Sequence, residues 1–152
     1  LKRDWFAADG KPLDGRPLRV GETAIVRLQV KTPGRYANGL VVDHIPAGLE
    51  IENANIVQGE QSVVTVDGVD PQQAMLHGDI RHVEFRDDRF VVAARIAGQM
   101  QFFYRVRVVT PGRFVVPPSY AEDMYQPEIF GLAGGGETLV IGDGREAGTG
   151  PK

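Results

Sequence analysis

"HVEFRDDRFVVAARI", residues 82–96, decides the fold class. Its period is two on both sides of a polar centre. Val83 and Phe85 alternate with polar neighbours before "RDDR", and Phe90, Val92, Ala94 and Ile96 alternate after it. Successive side chains of a strand point to opposite faces, so this pattern gives one face to bury and one to leave outside. Adjacent aspartates favour a turn, because their short carboxylates bond local backbone amides. The stretch predicts an antiparallel hairpin.

The same period continues outward. "AIVRLQVKT" (24–32) sets Ala24, Val26, Leu28 and Val30 against Ile25, Arg27 and Gln29. "MQFFYRVRVVT" (100–110) lines up Met100, Phe102, Tyr104, Val106 and Val108, with Phe103, Arg105 and Arg107 on the other face. "GLVVDHIP" (39–46) and "LEIEN" (49–53) read as a strand pair split by Pro46-Ala47-Gly48. "RFVVPP" (113–118) and "ETLVIGD" (137–143) complete the set. Nothing convincing repeats at 3.6 residues. Period two with Gly and Pro punctuation predicts an all-β fold, an antiparallel β-sandwich of seven to nine short strands. Residues 54–80 are less regular. They predict a long excursion with one short strand around 63–66 and a helical turn at 71–76, where Pro71 suits a first helical position. The sandwich is expected over 1–142, and the Gly-rich, polar segment 143–152 is expected to be disordered.

Composition bounds the function. The 152 residues suit one domain. A net charge of -3 and a pI near 5.6 argue against nucleic acid as a partner. No apolar run approaches the roughly 18 residues of a membrane helix, so no direct membrane insertion is expected. With no cysteine, the chain holds no disulfide, thiolate zinc site or cysteine nucleophile. The opening "LKRDWFAADGK" has no initiator Met and is already strand-like, which reads as a piece of a longer protein with any targeting signal upstream.

Four patterns carry candidate chemistry, each with a plainer reading beside it. His77, Asp79 and His82 in "HGDIRH" are metal-ligand types, but their spacing matches no determined motif. Ser62 or Ser119 with a histidine and an aspartate would make a triad, yet no G-x-S-x-G elbow marks a nucleophile. The acid pairs Asp87-Asp88 and Glu122-Asp123 have the residue types of a glycosidase, but neighbours in sequence seldom face each other. "GLAGGGE" (131–137) lacks a phosphate-loop lysine and reads as a link between strands. No metal, cofactor or catalytic residue is assigned. Arg105 and Arg107 read as a solvated sheet face or as an anion or partner contact.

"PPSYAEDMYQPEIFG" (117–131) interrupts the strand pattern. Pro117 and Pro118 end a strand, because proline supplies no ladder N–H. "SYAEDM" fits one helical turn, capped by Ser119 with Glu122 as the capping-box partner. Pro127 stops continuation. Met124 and Tyr125 are then either presented outward or tucked back over the sandwich edge. Met is adaptable, and Tyr adds a flat ring with a hydroxyl.

Taken together, "VVDHIPAGLEIEN" (41–53), "HVEFRDDRFVVA" (82–93), "RVVTPGRFVVPPSYAEDMYQPEIFG" (107–131) and the closing "TLVI" resemble, in order, the last macroglobulin-like domain of bacterial α2-macroglobulins. The resemblance covers residues 1 to about 142 and implies part of a protease-trapping inhibitor. In that family a thioester in a neighbouring domain captures the protease, and a Met-Tyr loop of the last domain shields it. By motif these residues are Met124 and Tyr125, with Pro118, Glu122, Asp123 and Pro127 supporting the loop. The thioester needs a Cys-x-x-Gln motif, so it lies outside this cysteine-free chain. The implied partners are the thioester domain of the same parent chain, target proteases reached through the parent, and other periplasmic proteins. The implied location is the periplasm, with the parent anchored to the inner membrane or free. A second reading from the strand turns alone is a cell-surface adhesion or carbohydrate-binding sandwich repeat.

Overall fold

A computed structural model describes residues 1–52 and 64–143 of the chain. The hairpin forms as the sequence predicts. Strand β5 (Ile80–Phe85) pairs antiparallel with β6 (Arg89–Val108), with Val83 opposite Val92 and Phe85 opposite Phe90. The Arg86 amide donates to the Arg89 carbonyl at 2.9 Å and closes the turn. Asp88 in that turn takes two 3.1 Å bonds from the neighbouring Arg89 guanidinium.

The remaining strands are β1 (Lys2–Ala7), β2 (Leu18–Arg19), β3 (Thr23–His44), β4 (Leu49–Glu52), β7 (Gly112–Val115), β8 (Ser119–Asp123), β9 (Phe130–Ala133) and β10 (Thr138–Gly142). Among the described residues this makes ten strands in two sheets. The larger sheet has seven strands along the path β4-β6-β3-β8-β9, with β1 beside β3 and β5 beside β6. The smaller one is β2-β10-β7, in which β2 runs parallel to β10.

Two strands are not short. β3 has 22 residues and β6 has 20, and they pair along nearly their whole length. Their register shifts between Lys31 and Arg35 and again between Tyr36 and Gly39. Bulges bend and twist strands, which lets one strand serve two layers. The first layer is β1, the first part of β3, the last part of β6 and β4. The second is β5, the first part of β6, the last part of β3, β8 and β9. Phe90 and Tyr104 prove the fold-over: both lie on β6, yet their rings stack with centroids 4.5 Å apart. Val26, Leu28, Val41, Phe90, Val92, Phe102 and Val106 fill the space between the layers and are buried.

The bend corrects the reading of 39–46 and 49–53 as a strand pair. Leu49 pairs with Val108 of β6, not with the end of β3. The Pro46-Ala47-Gly48 turn instead carries the chain from the second layer to the first, closed by the Leu49 amide on the Pro46 carbonyl at 3.1 Å. Gly48 leaves room for the small sheet. A Cβ there would lie 2.5 Å from the Phe114 ring and 2.6 Å from Ile141.

The excursion covers the outer side of the first layer. Asp67 and Gly68 both have positive φ, 49° and 79°, and make a tight turn between Val66 and Val69, whose backbones bond each other. The helical turn forms over Pro71–Met75 (α1), with the Asp70 carboxylate accepting from the Gln72 amide. Val66 packs with Phe6, Ile25 and Phe103, flanked by Val64, Val69 and Met75. Ile25 and Phe103 are buried for this reason, although they alternate out of the main core. Arg27 is drawn in with them: its guanidinium bonds Asp67 at 2.6 Å and Asp4 at 2.9 Å and lies 4.8 Å from the Phe6 ring centroid. The two carboxylates raise the Arg27 pKa against the opposing pull of burial.

Of the short strand expected around 63–66, only Val64 to Val66 are described, and only Val66 makes a β-bridge. Residues 144–152 of the expected disordered tail lie outside the described residues. Among the described residues no helix is long and apolar enough to cross a membrane.

Candidate docking loop

The loop that holds Met124 and Tyr125 begins where β8 ends. "SYAED" is not a helical turn but strand β8, paired with β3 on one side and β9 on the other. The Ser-x-x-Glu pattern has the letters of a capping box, yet the open edge of β3 offers a ladder from Asp43–Ser119 to Gly39–Asp123. That long-range pairing wins over a single isolated turn, which fixes several dihedrals for little return.

Two successive β-turns build the loop. The Gln126 amide donates to the Asp123 carbonyl at 3.2 Å, which sets Met124 and Tyr125 at the two central positions of the first turn. The Asp123 carboxylate accepts from the Tyr125 amide at 2.9 Å and the Gln126 amide at 3.1 Å. Aspartate is suited to this because its side chain bonds its own backbone two residues on. The Ile129 amide then donates to the Gln126 carbonyl at 2.9 Å, with Pro127 and Glu128 in the centre of the second turn. Proline presets φ for its position. The Asp123 amide on the Ile129 carbonyl at 3.1 Å shuts the base, and the Met124 amide on the Asn38 carbonyl at 2.9 Å ties the loop to β3.

The side chains point out. Tyr125 is 79% exposed and Met124 43%. The alternative in which both cap the domain's own core is therefore set aside for Tyr125. Of the supporting residues, Asp123 and Pro127 hold the two turns directly. Glu122 faces away from the core beside Phe130 on β9. Pro118 sits one residue before β8 and packs near Gly135 of the β9–β10 link, where a Cβ would come within 3.0 Å.

The other candidates are not assembled. His77 and Asp79 approach to 3.5 Å, but His82 pairs with Glu84 at 3.8 Å, and among the described residues no three metal-ligating side chains gather. Ser119 is buried, and its hydroxyl donates to the Ala133 carbonyl at 3.2 Å. Ser62 lies outside the described residues. Glu122 and Asp123 are successive strand residues on opposite faces, so they do not form a facing carboxylate pair. Arg105 and Arg107 stand opposite Glu52 and Glu50 of β4.

A buried ionic cluster, which strand periodicity did not reveal, fixes the layers behind the loop. Asp43, fully buried, accepts from Arg3 at 2.6 Å and from the Tyr104 hydroxyl. Arg3 reaches on to Glu137 at 3.3 Å. One cluster thus joins β1, β3, β6 and the residue preceding β10. Burial raises the Asp43 pKa even against the attraction of Arg3, and burial with the Asp43 charge pushes Tyr104 well up. The signal in the sequence was an aspartate at an inward position of "GLVVDH".

Comparisons with known proteins agree with the β-sandwich fold. Residues 1–128 match the family described as bacterial alpha-2-macroglobulin MG10 domain. An alpha-2-macroglobulin of Xylella fastidiosa is 45% identical over 132 residues, which cover 85% of this chain and 8% of that protein. The native alpha-2-macroglobulin of Escherichia coli, solved from domain MG7 to the C-terminus, superposes with a TM-score of 0.82 at 34% identity, covering 92% of this chain and 22% of that one. A Salmonella alpha-2-macroglobulin reacted with methylamine gives 0.78 at 33% identity, over 92% of this chain and 9% of that one. The chain thus spans under a tenth of the full-length Xylella relative. With the sandwich, the family match and this identity in agreement, the chain belongs to the bacterial alpha-2-macroglobulin MG10 domain family.

Proposed function

We propose that this domain is the docking domain of a protease-trapping inhibitor and has no catalysis of its own. Its Met124-Tyr125 turn packs on the thioester-bearing domain of the same parent chain and keeps water from the thioester until a protease triggers the trap. The parent works in the periplasm, where its other partners are the captured proteases and other periplasmic proteins.

The observation that carries this reading is the exposed Tyr125 on a turn locked by Asp123 and Pro127. A rigid turn loses little freedom on docking, so its contact area is retained as affinity. Apolar and aromatic cover over a hydrolysable bond excludes water from it. The reaction of a Salmonella relative with methylamine is consistent with a thioester elsewhere in such a chain, since an amine attacks that bond.

The test is Tyr125→Ala in the full-length parent. Methylamine uptake and protease capture are measured beside the unaltered protein. Altered uptake, faster on an intact thioester or lower where water has already opened it, or lost capture supports shielding, and unchanged values in both assays refute it.

A further inference from the structure

The outer face of the second layer adjoins the loop, because β8 and β9 flank it. Strand register builds that face in two rows. Ala93, Leu40, Glu122 and Phe130 stand side by side across β6, β3, β8 and β9. Val91, Val42, Tyr120 and Leu132 form the next row. Their strand neighbours Val92, Val41 and Ala121 belong to the core, so alternation turns both rows outward. Four strands at about 4.8 Å spacing make the rows roughly 14 Å wide.

This face is apolar where an outer face is ordinarily polar. From β6 to β9 the second row carries no charge and the first carries Glu122. On the β5 side the rows continue with Glu84 opposite Val91 and His82 opposite Ala93, so the apolar part of the face is its β8–β9 end. Phe130 is 66% exposed and Leu132 61%. The first layer shows the contrast: its outward Ile25 and Phe103 lie under Val66 of the excursion. Among the described residues no excursion covers the second layer, where Val42 is itself buried and the open part is Phe130 and Leu132 on β9. The face also runs into the loop, since Asp123 follows Glu122 at the end of β8.

We propose that one occupant covers both the Tyr125 loop and this face, a mostly apolar surface of another domain of the parent chain with a cation or hydrogen-bond donor opposite Glu122. The proposal rests on the docking reading above. It also follows from length, because more than nine-tenths of the full-length Xylella relative lies outside the matched segment. A second copy fits less well. A two-fold pairing centred on β8 would set Glu122 against itself inside an apolar contact.

The test places a photo-crosslinking amino acid at position 130 or at position 125 of the full-length parent, with crosslinked peptides mapped by mass spectrometry. Both probes are expected to capture the same domain within one chain. Adding Leu132→Asp is expected to abolish the position 130 crosslink, while Val140→Asp, on the small sheet, leaves it. A position 130 probe that captures nothing, a second copy, or a domain other than the one captured from 125 overturns the proposal. If both probes reach one common domain that lacks the thioester, the shielding function fails and the shared surface stands.

Discussion

Phe90 stacks on Tyr104, with ring planes 19° apart, although both residues belong to strand β6. An extended strand would hold them roughly 45 Å apart. The contact therefore reports the bend that makes a sandwich from one long ribbon. Phe90→Ala is expected to cost about 3–5 kcal/mol in urea unfolding, as for other buried aromatics. Tyr104→Phe keeps the ring but removes the donor to Asp43, and about 1–3 kcal/mol is expected.

Asp43 gives a pH signature. Burial raises its folded pKa. Its own contribution to stability is therefore complete below the unfolded value near 3.9 and falls as pH rises through the higher folded value. Asp43→Asn removes that titration. In urea unfolding, the stability of the unaltered protein relative to the variant is therefore expected to fall as pH rises from about 3.9 towards neutrality. A relative stability that grows over this range would contradict a folded pKa raised by burial.

Gly39 sits where β3 leaves its second register shift. A Cβ there would lie 2.4 Å from Ile96 Cδ1 and 3.1 Å from the Ala94 carbonyl oxygen. Gly39→Ala is expected to destabilise by about 1–3 kcal/mol through overpacking, read as a lower urea midpoint with unchanged slope.

The excursion makes its own prediction. Phe103→Ala empties the patch under Val66 and is expected to cost about 3–5 kcal/mol. Hydrogen exchange should quicken around 64–76 more than in the hairpin of β5 and β6.

Strand existence was legible because burial on one face imposes period two, and Val83, Phe85, Phe90 and Val92 display it without ambiguity. The bend was not. "PGRYAN" between Val30 and Gly39 looks like a turn, yet the chain runs through it with bulges because its partner strand bends too. Local letters misled at Ser119, where a capping pattern met an open sheet edge. The Asp67-Gly68 turn lies inside an irregular stretch, where only the left-handed preference of the dipeptide marks it. In the loop, Pro127 was legible as a stop, the turn set by Asp123 was hidden behind the capping pattern, and the roles of Met124 and Tyr125 rest on the family resemblance. The apolar rows on the outer face needed register, which one strand's sequence does not contain.

The central claim is that Tyr125 keeps a neighbouring thioester dry. The most direct measurement is the release of free thiol from the resting full-length parent in plain buffer, with no amine and no protease present. Unaltered protein is expected to stay near its starting thiol content, while Tyr125→Ala releases thiol steadily with the fold intact by circular dichroism. Equal release by the two proteins would contradict the account.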